Sequence, residues 1–231
     1  MDDAEKALRA GLGELQLDLG DEQVLQLLNF QALIAKWTQV YNLTAVRDPT
    51  EMMTHHLLDS LAAMPPLKRH LQSAGLEHGA GLLDVGSGAG LPGVVIAICC
   101  PDVVVTCVDA VAKKVAFIKQ AALVLRLPNL VGLHARVESV SQEFDVICSR
   151  AFASLHDFTQ WSVDALAPGG VWMAMKGKHP AHEVAALPAF ALVFHVEQLL
   201  VPGLDAERCI VWMRQKTTVL SAQTVISPVK A

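Results

Sequence analysis

Hydrophobic and polar positions along this chain follow two different rhythms, and the change falls across residues 75–81. Residues 21–41 place Val24, Leu27, Leu28, Phe30, Ile34, Trp37 and Tyr41 at helical spacing, which predicts an amphipathic helix with one face against a core. A second helix is predicted from Asp48. Asp48 can cap it, Pro49 suits its first turn, and Glu51 stands three residues on to close a capping box. It is predicted to run to about Ala63 and to stop at Pro65-Pro66. Residues 1–75 therefore read as an N-terminal helical extension, joined to the rest of the chain by a glycine-bearing connector.

From Leu82 onward, short apolar runs alternate with helical patterns. Strands are predicted at residues 82–85, 103–108, 130–134, 144–149 and 171–176, with helices near 92–100, 112–127, 154–166 and 182–187. Such alternation implies a parallel sheet covered by helices on both faces. Two further strands, 192–200 and 209–214, leave little room for a crossover helix, so the last is expected to be antiparallel. The expected fold is α/β: a seven-stranded Rossmann-like sheet over residues 76–216 behind the helical extension. Residues 217–231 show no periodicity and no aromatic residue and read as a disordered tail.

Composition narrows this picture. The chain has 231 residues, 52% hydrophobic and 18% charged, enough for one α/β domain with a large core and a modest addition. The longest apolar run, residues 94–100, is too short to span a bilayer, and the acidic start Met1-Asp2-Asp3-Ala4-Glu5 is unlike a secretory signal. A cytoplasmic protein with no membrane segment is expected. The cysteine count of 5 is odd; Cys99, Cys100, Cys107 and Cys148 fall in apolar stretches and are expected as buried thiols. A net charge of −5 argues against non-specific coating of nucleic acid, while leaving room for a local basic face.

Candidate chemistry begins at Leu82-Leu83-Asp84-Val85-Gly86-Ser87-Gly88-Ala89-Gly90-Leu91-Pro92-Gly93, a strand entering a glycine turn and then a helix. A dinucleotide fingerprint needs a small residue three places after its second glycine, where this chain has Leu91. Asp84, two places before Gly86, is a poor neighbour for pyrophosphate but suits a cofactor carrying an ammonium group and a sulfonium. Gly86, Gly88 and Gly90 with Asp84 therefore favour S-adenosylmethionine over NAD. Asp109 ends the second strand 23 residues beyond Gly86, where a carboxylate can accept both hydroxyls of an adenosine ribose. Val137 and Glu138, after the third strand, are candidate contacts to the adenine edge.

The fourth strand ends at Cys148-Ser149-Arg150-Ala151-Phe152. It lacks the Asp/Asn-Pro-Pro-aromatic element of exocyclic-amine methylases, and no activating His stands near Cys148. Arg150 cannot serve as a base at neutral pH, but its fork can hold a phosphate, a carboxylate or the O6/N7 edge of guanine. A structural Arg150 paired with a carboxylate is the alternative. A basic set of Arg47, Lys113, Lys114, Arg136, Arg150, Lys176 and Lys178 is expected to rim one cleft and take phosphates. Arg150 and Lys176 are the candidates for catalysis; Asn42, Arg47, Lys113, Arg136 and Lys176 are those for substrate binding. His179, His182 and Glu183 lack a further ligand nearby, and His55 and His56, adjacent on a helix, are not expected to face one site. No metal is expected. A dehydrogenase and an inactive RNA-binding module are the rival readings; Leu91 disfavours the first, and the intact glycine turn with Asp109 the second.

Over roughly residues 20–215 the chain resembles the bacterial 16S rRNA guanine-N7 methyltransferases, the glucose-inhibited division protein B family. The resemblance rests on residues 41–47, 55–61, 84–93, 109–117, 136–138, 149–155 and 176–177, with Asn42-Leu43-Thr44 and Ser149-Arg150-Ala151-Phe152 the most specific pair. It implies a class I S-adenosylmethionine-dependent fold and methyl transfer to N7 of one guanine in 16S rRNA of the small ribosomal subunit. It further implies cofactor contacts at Gly86, Leu91, Val137, Glu138 and Arg150.

Overall fold

The computed structural model describes residues 3–216, so the expectation for the tail lies outside the described residues. Helices α1 (Asp3–Glu14) and α2 (Asp21–Tyr41) come first. The apolar stripe of α2 buries Val24, Leu27, Phe30 and Ile34, and Gln23 and Gln26 donate to the carbonyls of Ile98 and Leu125 at 2.8 Å each.

The second predicted helix keeps its expected cap and differs from its expectation in two ways. Asp48 does cap it, accepting from the amides of Thr50 and Glu51 at 2.9 and 3.0 Å. After one turn, α3 (Pro49–Met52), the backbone passes into a π-helical segment (Met53–Leu58) and then α4 (Asp59–Leu61). α4 ends two residues short of the expected Ala63, and Pro65-Pro66 lies not in a loop but in the first turn of a further helix, α5 (Met64–Ala74), where the missing N–H of Pro65 costs nothing. Gly75 at φ +68° closes α5.

Seven strands come next: β1 (Gly81–Val85), β2 (Val104–Asp109), β3 (Leu130–His134), β4 (Phe144–Arg150), β5 (Leu166–Lys176), β6 (Ala191–Leu199) and β7 (Arg208–Gln215). They stand in the order β3-β2-β1-β4-β5-β7-β6, with β7 antiparallel to both neighbours. β5 starts earlier than expected. The helix α8 (Leu155–Ser162) gives way to a 3-10 turn (Val163–Ala165), and the Pro168-Gly169-Gly170 turn is absorbed into the strand beside a register shift in β4. The central strands are buried on both faces, as a doubly covered parallel sheet requires.

One face carries α6 (Gly93–Cys99) and α7 (Ala112–Val124), and α2 packs on both. Phe117 of α7 meets Phe30 and Trp37 of α2 at ring distances of 6.2 and 5.4 Å. Leu8, Leu27 and Leu61 of the N-terminal helices share one continuous core with Leu82, Ile96 and Val146. All five cysteines are buried thiols. Chain order reverses between β1 and β4, and in open α/β sheets ligands bind outside the carboxyl ends of strands at such a switch point.

Candidate functional site

At the carboxyl end of β1 the chain turns through Gly86 and Gly88 at φ +67° and +57°, which side chains beyond glycine rarely adopt. The amide of Gly88 donates to Asp109 Oδ2 at 3.0 Å, while Asp109 Oδ1 accepts from Val111 at 2.8 Å. The turn is thereby tied to the end of β2. Each oxygen of Asp109 keeps lone-pair capacity for a ligand hydroxyl.

Asp84 corrects an expectation. Its carboxylate lies fully buried beneath the turn, accepting from the Gly93 amide at 3.0 Å and from the thiols of Cys107 and Cys148 at 3.9 and 3.7 Å. Strand alternation points the side chain inward, against the first amide of α6. Burial pushes its carboxyl up to about 6, opposed chiefly by the Gly93 bond. The same burial raises both thiols, so Cys148 is protonated and is no nucleophile. Gly90 also faces inward, against Val94.

Two cavities meet at Gly86. The smaller, about 190 Å³, is lined by Asp109, Ala135, Val137 and Glu138, with Arg136, Phe152 and Trp161 around it. It offers apolar walls for a flat ring and a carboxylate for a diol. The larger, about 700 Å³, runs past Gly88 and Leu91 to the ends of β4 and β5 and is closed by the N-terminal helices. An added Cβ at Gly88 meets nothing nearer than the Gly86 carbonyl at 3.9 Å, so the space over the turn is open to a ligand. A flat apolar pocket with a diol acceptor, joined through a bare glycine turn to a polar cleft, fits S-adenosylmethionine end to end.

Arg150, at the end of β4, lines the larger cavity. Its Nη1 donates to Asp59 Oδ2 at 2.8 Å and to the carbonyl of His55 at 2.9 Å. Arg208 Nε donates to the other oxygen, Asp59 Oδ1, at 2.9 Å. Lys176 Nζ reaches the cavity but bonds Glu183 at 2.8 Å and the carbonyl of Ala153 at 3.2 Å. Ala151, the residue after β4, holds φ +51°, a strained conformation of the kind that gathers at functional sites.

The expected basic rim is only partly assembled. Lys114 lines the larger cavity, 3.6 Å from Asp109, whereas Lys113 points away and lies 5.6 Å over the Tyr41 ring. Successive residues of α7 diverge by about a quarter turn, which separates the two lysines. Asn42 and Arg47 are exposed and bond one another at 3.0 Å; neither borders the cavity, while Leu43, Thr44 and Val46 between them do. Lys178 is exposed, its carbonyl accepting from the Cys209 thiol at 3.8 Å.

His55 and His56 both border the larger cavity, against expectation, because the cavity curves around the π-helical segment. They do so differently. His55 is exposed, while the buried His56 ring bonds Thr44 Oγ1 through Nε2 at 2.8 Å, and burial lowers its basicity. Asp59, Arg208 and Thr44 are site residues that sequence reasoning did not single out, and His56 was weighed only as a metal ligand. Asp59 and Thr44 lay within stretches of resemblance, residues 55–61 and Asn42-Leu43-Thr44, without a role of their own. Among the described residues, no group of three His, Cys, Asp or Glu stands close enough to hold a metal ion. No described helix is long and apolar enough to cross a membrane.

A seven-stranded sheet with an antiparallel β7, a glycine turn after β1 and an acid ending β2 define a class I S-adenosylmethionine-dependent methyltransferase. Solved structures share that architecture at low identity. TrmN from Thermus thermophilus matches at TM-score 0.52 and 19% identity over 71% of this chain and 53% of its own. A SAM-dependent methyltransferase from Aquifex aeolicus matches at 0.51 and 17%, over 72% and 93%. Within the class, the family described as rRNA small subunit methyltransferase G matches residues 23–211. Curated proteins called ribosomal RNA small subunit methyltransferase G are 77% identical in a Polaromonas species, over 92% of this chain and 94% of theirs, and 66% identical in Acidovorax ebreus, over 91% and 95%. The chain belongs to the rRNA small subunit methyltransferase G family.

Proposed function

We propose that this chain transfers a methyl group from S-adenosylmethionine to N7 of one guanine in 16S rRNA, acting in the cytoplasm on the small ribosomal subunit or an assembly intermediate. One observation carries the choice of acceptor. Asp59, the buried carboxylate of the acceptor cleft, is taken up by two arginines and so is not free to act as a general base, while the arginines present donors to the acceptor. Guanine N7 has a free lone pair and needs no deprotonation, whereas an exocyclic amine or a pyrimidine carbon requires a base or a nucleophile. Family membership supports the rRNA substrate.

When bound, the cofactor would supply an electrophilic methyl on sulfur, and its transfer to N7 would ask no proton movement of the chain. The work of the chain is alignment and exclusion of water. Asp109 takes the ribose diol, Val137 and Glu138 the adenine edge, and Gly86, Gly88 and Leu91 the approach of the methionine half. Asp84 acts from beneath, by holding the turn. Arg150 stands between cofactor and acceptor, and Lys114, Arg136 and Lys176 extend the basic rim. In this division residues 76–216 bind the cofactor, and the extension, 1–75, walls the acceptor side.

Small subunits from a strain lacking the family enzyme, incubated with the protein and labelled S-adenosylmethionine, test the proposal. The label is expected at a single guanine, where reduction and aniline cut the strand at N7-methylguanosine. Label on another atom, or on the large subunit alone, overturns it.

A further inference from the structure

Asp59 comes from the N-terminal helices, yet both of its charged partners belong to the sheet. Arg150 ends β4, 91 residues away in the chain, and Arg208 opens β7, 149 residues away. The three side chains are mostly buried: Asp59 is 7% exposed, Arg150 17% and Arg208 23%. Each carboxylate oxygen takes one arginine, and the π-helical segment grips Arg150 a second time through the His55 carbonyl.

Two guanidinium groups bordering one cavity repel each other, and a carboxylate between them offsets that repulsion. The triad keeps one net positive charge. A guanidinium carries five N–H donors in a rigid plane. Arg208 spends Nε on Asp59 and Nη1 on the Glu207 carbonyl, and Arg150 spends Nη1, so both retain donors for a ligand in the cavity they line. Planar forks held this way suit a phosphate or the O6/N7 edge of guanine.

We infer that Asp59 is a positioning residue that holds Arg150 and Arg208 together as a two-arginine clamp on the acceptor nucleotide of the RNA. The inference rests on the methyl-transfer reading of this cleft and adds a division of labour: the N-terminal helices set the acceptor grip, and the glycine turn sets the cofactor. Asp59 touches neither reactant and acts through the arginines.

Steady-state kinetics of the full chain on unmethylated small subunits, with subunit affinity read by sedimentation and cofactor-site affinity by calorimetry with S-adenosylhomocysteine, provide the test. In Asp59→Asn one neutral amide faces two cations. Subunit affinity is expected to fall and KM for subunits to rise on the order of tenfold or more, with S-adenosylhomocysteine affinity within about twofold of wild type. Arg208→Ala is expected to give the same pattern, and the double variant to be little worse than either single one, because both remove the same clamp. Unchanged subunit affinity in Asp59→Asn, or single effects that multiply in the double variant, overturns the inference. A parallel loss of S-adenosylhomocysteine affinity overturns it too, since that assigns Arg150 and its partners to the cofactor and not to the acceptor. Should Asp59→Asn fail to fold, Arg208→Gln carries the test with Asp59 still paired to Arg150, and unchanged subunit affinity there is equally fatal. A wild-type chain that binds subunits without methylating them refutes the methyl-transfer reading, and the affinities of the variants still decide the clamp.

Discussion

The two halves of this site hold buried carboxylates in opposite ways. Asp84, under the glycine turn, is held by an amide, two thiols and the Ser87 hydroxyl with no directly paired cation, and burial pushes its carboxyl up to about 6. Asp59, on the acceptor side, bonds two arginines. The cofactor half is thus shaped by backbone geometry and close packing among adjacent strands of one sheet. The acceptor half is shaped by ion pairs between segments far apart in sequence. Packing tolerates no added atom, whereas an ion pair tolerates no lost charge, and substitutions separate the two.

The largest effect is expected at Gly93. A Cβ there would stand 2.3 Å from the Cys107 sulfur and 2.8 Å from the Asp84 carboxylate, both buried. Gly93→Val is expected to cost about 3 kcal/mol or more in urea unfolding. At Gly88 the space is open, so Gly88→Ala is expected to carry only the left-handed backbone cost, about 1–2 kcal/mol, while S-adenosylhomocysteine affinity collapses in calorimetry. Equal stability losses at the two positions would contradict the packing account.

On the acceptor side, Arg150→Ala leaves Asp59 with one partner and is expected to destabilise the fold by about 3 kcal/mol. Arg150→Lys keeps the charge and is expected to recover most of that stability without recovering turnover, because an ammonium lacks the planar fork. Thermal melts beside methylation rates check both. A lysine variant with wild-type turnover would reduce Arg150 to a charge.

The pH dependence of stability reports on Asp84. Asp84 titrates higher in the folded chain than in the unfolded one, so the folded state binds its proton more tightly. Its contribution is full below about pH 4 and is lost as pH rises through about 6. A shift of about two units corresponds to roughly 3 kcal/mol. Relative to wild type, Asp84→Asn is expected to gain up to that amount between pH 4 and 7 in urea midpoints, less a constant offset for its new amide. A flat difference would mean that Asp84 is not desolvated.

Asp109→Ala is expected to weaken S-adenosylhomocysteine by about 1.5–3 kcal/mol, the usual loss of bonds to a charged group, with KM for subunits unchanged. Smallest is Lys113→Ala. The ammonium over Tyr41 is worth about 0.5–1 kcal/mol of stability, and methylation is expected to stay at the wild-type rate. Lys114→Ala is expected to slow it, and the reverse ranking would move the cleft to the other side of α7.

Most elements were legible because their signals are local. The stripe of α2 predicted its bounds of Asp21–Tyr41, and Leu130–His134 matched its strand residue for residue. Pro65-Pro66 marked the end of one helix and hid the start of the next, because a proline pair fits both, and the π-helical segment leaves no mark in a spacing of three and four. Lys113 misled for a related reason: adjacent lysines look alike in a sequence and diverge on a helix.

By itself, the sequence determined the sheet, the glycine turn with Asp109 at the next strand end, and therefore the class of cofactor. Those features depend on backbone conformation and on short spacings that periodicity reports. Only the tertiary structure decided that Asp84 supports the turn from beneath and that Asp59 joins Arg150 to Arg208. It also decided that His56 reaches Thr44. Contacts across 91 and 149 residues carry no local signal, because a buried charge finds its partner through the packing of whole elements.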